Sequence, residues 1–125
     1  MGKNHRTKFF GMDVHQKTIS IALADEGPEG EVRLYATIKN TPEAIDKVIR
    51  TLVSTGAELQ FVYEAGPCGF GLYRHLTGNG FSCIVAAPSM IPKKSGVRIK
   101  NDSRDALALA RLLRAGELSP IYVPD

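Results

Sequence analysis

The chain has 125 residues, 43% hydrophobic and 23% charged, with a formal net charge of +3 at pH 7. That length suits one domain with a single sizeable core. No apolar run approaches the roughly 18–20 residues of a membrane-spanning helix, which excludes such a span and argues against a membrane partner.

The opening "MGKNHRTKFFGMDV" is basic but has neither the apolar stretch nor the cleavage site of a secretory leader, so a cytoplasmic protein is expected. Residues 1–8 read as a basic lead-in. "TKFFGMDV" reads as a buried strand with one acid near its end. After "HQK", the stretch "TISIALAD" alternates Ile19, Ile21 and Leu23 with smaller residues at the strand period. "EGPEGE" supplies a turn, and "VRLYATI" is expected to place Val32, Leu34, Ala36 and Ile38 on one face. These three segments make an antiparallel meander.

The period then changes. Thr41 can cap a helix that has Pro42 at its first position and Glu43 in its first turn. Ala44, Ile45, Val48, Ile49 and Leu52 follow at helical spacing, with Gly56 as the stop. "LQFVYE" is a fourth strand ending in Glu64, ahead of the glycine-rich "AGPCGFG". A short helix around "LYRHL", closed by "GNG", leads to a fifth strand, "FSCIVAA". "PSMIPKKSGVRIK" reads as a loop. A last helix runs from near Asp102 to about Ala115, and "SPIYVPD" looks like an extended exit segment. A hairpin meander followed by helix-linked strands gives an α/β mixed five-stranded sheet flanked by helices. Right-handed crossovers would set the fourth strand beside the first, the ribonuclease H-like arrangement.

Four acids attract notice. Asp13 ends an apolar strand, where a carboxylate is costly to desolvate unless it is paired or binds a cation. Glu64 stands at its own strand end in the same way. Asp102 and Asp105, three apart, share a helix face. Packed together, four carboxylates would repel and call for cations, and an oxygen-only set suits Mg²⁺ or Mn²⁺, as a pair of ions. Each acid also has a plainer reading: helix capping for Asp102 and Asp105, turn capping for Asp13, an exposed strand end for Glu64. Lys93, Lys94, Arg98, Lys100 and Arg104 crowd one segment, either a solvated loop or a surface for nucleic-acid phosphates. Cys68 and Cys83 form no CxxC pair, and with His5, His15 and His75 scattered no zinc pattern emerges.

"GMDVHQK", "YEAGPCGFGLYRHL", "APSMIPKK" and "KNDSRDALALARLLRAGEL" together resemble the N-terminal domain of the IS110-family transposases, over Phe9 to Asp125. The resemblance implies a RuvC-like, ribonuclease H-type catalytic domain over residues 9–116, with 117–125 leading toward a C-terminal domain that carries a serine. It implies an Asp-Glu-Asp-Asp set at Asp13, Glu64, Asp102 and Asp105. It further implies DNA strand cutting and rejoining in transposition, guidance by a structured RNA, and action as a homo-oligomer. Where family members commonly read Lys-Thr-Asp-Arg-x-Asp-Ala, this chain has "KNDSRDA", which keeps the acids in register and removes one positive charge. Phe70 and Tyr73 either contact nucleic acid or serve ordinary helix packing. Two other functions compete: a stand-alone RuvC-like nuclease or junction resolvase, and a non-catalytic nucleic-acid-binding module. An actin-like nucleotide site is excluded, because Val14 follows Asp13 where a phosphate loop needs glycine.

Overall fold

The computed structural model describes residues 6–27, 29–88 and 103–123. Five strands and three helices follow in the order β1 (Thr7–Val14), β2 (Thr18–Asp25), β3 (Val32–Lys39), α1 (Pro42–Val53), β4 (Glu58–Glu64), α2 (Gly71–Gly78), β5 (Ser82–Ala86) and α3 (Ser103–Ala115). They form one sheet in the order β3-β2-β1-β4-β5. β1, β2 and β3 pair antiparallel, whereas β4 joins β1 and β5 joins β4 in parallel. The meander and the crossover that returns β4 to the side of β1 are both as expected. β1 itself begins within the anticipated lead-in.

Alternation along the strands divides the side chains between two covered faces. Phe10, Met12, Ile19, Ile21, Leu23, Phe61 and Tyr63 build the larger core on the face of α1 and α2. Phe10 stacks on Phe61 at 5.2 Å between ring centroids, and Tyr35 meets Phe10 edge-on at 6.2 Å. Complete burial of one such ring contributes about 2–3 kcal/mol. α1 reaches this face with its first turn already satisfied: Thr41 Oγ1 accepts from Ala44 N at 3.2 Å, and Pro42 has no amide proton to leave unpaired. Ile45 and Leu52, seven apart, are its buried residues.

The opposite face is covered by α3 and built from small residues. Ala22 and Ala24 of β2 pack against Ala106 and Ala110 of α3, while Leu109 and Leu113 cover Val62 and Ala86. Gly11 permits this closeness. A Cβ there would collide with the Ala106 carbonyl oxygen and lie 2.5 Å from Ala110 N and 2.9 Å from Leu109 Cβ. The other end of α3 is tied to the β2–β3 turn by Arg114, which donates to the carbonyls of Asp25 and Gly30 at 3.0 and 2.9 Å.

One expectation fails in β3. Ile21 pairs with Ala36 but Ala22 pairs with Leu34, so Tyr35 is an extra residue, a β-bulge. The bulge resets the alternation. Val32 joins the α3 face and Leu34 is 46% exposed, whereas Tyr35 and Ile38 pack against the larger core. Val32, Leu34, Ala36 and Ile38 therefore do not share one face. Residues 119–121, within the anticipated exit segment, run back along the outer edge of β5. Ile121 N donates to Val85 O at 2.8 Å and Ala87 N to Ser119 O at 3.1 Å. Among the described residues no helix is long and apolar enough to cross a membrane.

Candidate active site at the strand ends

The site is set by register. Met12 pairs with Tyr63 in the parallel β1–β4 ladder, so one step further Asp13 stands beside Glu64, with strands about 4.8 Å apart. Their neighbours decide the direction. Met12 and Tyr63 face the larger core, Gly11 and Val62 face α3, and so Asp13 and Glu64 point to the α3 side. Both are largely covered: the Asp13 Oδ2 and Glu64 Oε2 oxygens are buried.

Helix α3 runs antiparallel to β1, because Gly11 lies against residues 106–110 while Arg114 reaches the opposite strand ends. Leu109 covers Val62. One helical turn back from Leu109 is Asp105, a rise of about 5–6 Å, and two residues on from Val62 is Glu64, a rise of about 6–7 Å. The first turn of α3 thus brings half-buried Asp105 toward the end of the sheet that holds Asp13 and Glu64. Sharing an end is not yet coordination. Among the described residues, no group of three or more His, Cys, Asp or Glu is gathered closely enough to hold a metal ion. Asp102, Lys93, Lys94, Arg98 and Lys100, together with the side chain of Arg104, lie outside the described residues.

Two supports escaped sequence reasoning. His15 Nε2 approaches Asp13 Oδ2 to 3.2 Å across the turn between β1 and β2. That turn is pinned by His15 N donating to Thr18 O at 2.8 Å and Asn40 Nδ2 donating to His15 O at 2.8 Å. Position i+2 from a strand acid is on the same side of the chain, and this spacing was the signal available. On the far side of β4, the Tyr63 hydroxyl donates to Gly69 O at 3.0 Å and accepts from Tyr73 N at 3.2 Å. It thereby braces the glycine turn that follows Glu64. Burial holds the Tyr63 phenol neutral, with its pKa pushed up to about 12. Phe70 and Tyr73 pack against the larger core, the ordinary one of their two readings.

A family model described as Transposase, that of the IS110 transposases with the DEDD signature, matches residues 10–125. The chain belongs to the IS110 transposase family. Over 122 residues it is 45% identical to y4qE of Sinorhizobium fredii, named provisionally as a transposase, covering 98% of this chain and 31% of that protein. Over 110 residues it is 41% identical to the transposase of insertion sequence element IS1533 from Leptospira borgpetersenii, covering 88% of this chain and 32% of the relative. The chain spans about a third of the length of these curated relatives. Among solved structures, RuvC of Thermus thermophilus superimposes with a TM-score of 0.55 at 13% identity, covering 91% of this chain and 99% of that one. The fold of this IS110-family domain is therefore RuvC-like, of the ribonuclease H type.

Proposed function

We propose that this chain is the metal-dependent catalytic domain of an IS110-family transposase, acting on DNA in the cytoplasm, with Asp13, Glu64, Asp102 and Asp105 as its carboxylates. The observation that carries this reading is the ladder register, which sets Asp13 beside Glu64 under the first turn of α3 in a chain of this family. The donor set suits hard divalent cations, since it offers carboxylate oxygens, two of them buried at adjoining strand ends. A pair of Mg²⁺ or Mn²⁺ ions held there would supply charge neutralisation and Lewis acidity for phosphodiester exchange.

The chain's own residues then divide the work. Asp13 and Glu64 offer carboxylates from the strand ends and Asp105 one from the first turn of α3, with Asp102 as the fourth of the set. His15 stands over Asp13 from the turn side, Nε2 3.2 Å from Oδ2. Tyr63 keeps the backbone after Glu64 in place, so the carboxylate is presented from a rigid strand end. Lys93, Lys94, Arg98, Lys100 and Arg104 neutralise the phosphates of the DNA brought to these carboxylates. A structured guide RNA, a homo-oligomer and a separate serine-bearing domain complete strand exchange.

Titration calorimetry of the chain with MnCl₂ tests the site. The expected outcome is uptake of about two ions, lost in Asp13→Asn and in Asp105→Asn. No uptake at millimolar metal overturns the reading. Metal-dependent cleavage of branched DNA by this chain alone would instead favour a stand-alone resolvase. DNA affinity unchanged in the acid variants but lost on substituting Lys93, Lys94 and Arg98 would favour a non-catalytic module.

A further inference from the structure

Four adjacent strands carry a row of polar residues on the face that α3 covers. Thr37 of β3 pairs with Ser20 of β2, Ser20 pairs with Asp13 of β1, and Asp13 stands beside Glu64 of β4. Ser20 interrupts the small apolar surface made by Ala22 and Ala24. At 6% exposure it is the buried polar residue of the fold among those described. A hydroxyl is kept in such a place only with hydrogen-bond partners. Thr37 Oγ1 supplies one, 3.3 Å from Ser20 Oγ. The bulge at Tyr35 creates that contact, because without the extra residue Thr37 would turn to the α1/α2 face.

We infer that Ser20, held by Thr37, is a positioning residue for Asp13. Directly paired residues on adjacent antiparallel strands have Cβ atoms about 4.5–5.5 Å apart, within reach of a serine hydroxyl and an aspartate carboxylate. The hydrogen bond of Ser20 Oγ in this structure is to Thr37; with Thr37 as its donor, Ser20 keeps a proton that can turn across the ladder to Asp13. His15 approaches the same carboxylate at Oδ2 from the turn. Asp13 thus has a polar neighbour on each side, Ser20 across the ladder and His15 at the turn, to orient its carboxylate toward a cation. Groups that orient a ligating carboxylate typically govern metal affinity by about 10–100-fold. The inference rests on the metal reading above and names what makes that site rigid.

Calorimetry with MnCl₂ on the whole chain separates the two claims, with thermal unfolding of each variant as the control for packing. Ser20→Ala is expected to weaken Mn²⁺ binding by about tenfold or more while leaving the metal-free melting temperature near that of the parent. Thr37→Val is expected to weaken it less and Thr37→Ser to restore it. The double variant Ser20→Ala/Thr37→Val should be no worse than Ser20→Ala, since Thr37 acts through Ser20. Parental Mn²⁺ affinity in Ser20→Ala, with binding abolished in Asp13→Asn, overturns the inference and leaves the metal reading standing. Parental affinity in Asp13→Asn overturns both. Should Ser20→Ala fail to fold, the solvent-exposed Thr37 pair of variants decides: equal affinity for Val and Ser refutes the role.

Discussion

The two faces of the sheet are held in different ways. Beneath α1 and α2 lie large rings, Phe10, Phe61 and Tyr63, whose area excludes water and whose exact packing has some latitude. Beneath α3 lie Gly11, Ala22 and Ala24, which exclude little area but let a helix backbone approach a strand backbone. One face holds the large buried rings. The other sets a distance, and the candidate acids sit at the end of the face whose spacing is tightly determined. A carboxylate site needs placement within a fraction of an ångström, so small-residue packing is the better support for it.

The strongest way to sharpen that contrast is to damage each face in turn. Phe61→Ala should cost about 3–5 kcal/mol in denaturant unfolding, because it empties the centre of the larger core. Its folded fraction should still bind Mn²⁺ with parental affinity, since nothing on the α3 side has moved. Gly11→Ala should reach the upper end of overpacking, about 3 kcal/mol, because the added methyl group meets helix backbone and must push α3 away from β1. The expected result is Mn²⁺ affinity reduced at least tenfold, near the effect of losing an orienting partner. If Phe61→Ala abolishes metal binding and Gly11→Ala spares it, the division of labour between the faces is wrong.

The sequence made some of this plain and hid the rest for physical reasons. The meander and α1 were legible because alternation, the Thr41-Pro42 start and Gly56 are local signals. The strand-end placement of Asp13 and Glu64 was legible because carboxylates are conspicuous at the ends of apolar strands. The bulge at Tyr35 was not, since a pattern of alternate apolar residues looks the same whether or not one residue is skipped in pairing. Ser20 passed as one small residue among several, and only its partner across the ladder gives it meaning. Gly11 did carry a readable sign: glycine inside a strand marks a bend or a close approach of another backbone. Arg114 could not be read at all, because its carbonyl partners lie more than 80 positions away in the chain.

The smallest effect concerns pH and belongs to the α1/α2 face alone. Burial pushes the Cys83 thiol up to about 12 and the Tyr63 phenol likewise to about 12, from ordinary values of 9.0 and 10.0. Both groups are favoured neutral in the fold, whereas the unfolded chain releases their protons from about pH 9 upward. The fold therefore binds more protons than the unfolded chain between about pH 9 and 12, and its stability falls through that window and is complete below it. By pH 9.5 the loss should be about 1 kcal/mol, mostly from Cys83, whose ordinary value is the lower. Chemical denaturation of the parent and of Cys83→Ala at pH 7.5 and 9.5 reads it directly. The variant should be less stable at both pH values because a buried side chain is truncated, but its difference between them should shrink to the small share left to Tyr63. An undiminished alkaline loss in Cys83→Ala would move its origin off the buried thiol and break the assignment of that loss to the larger core.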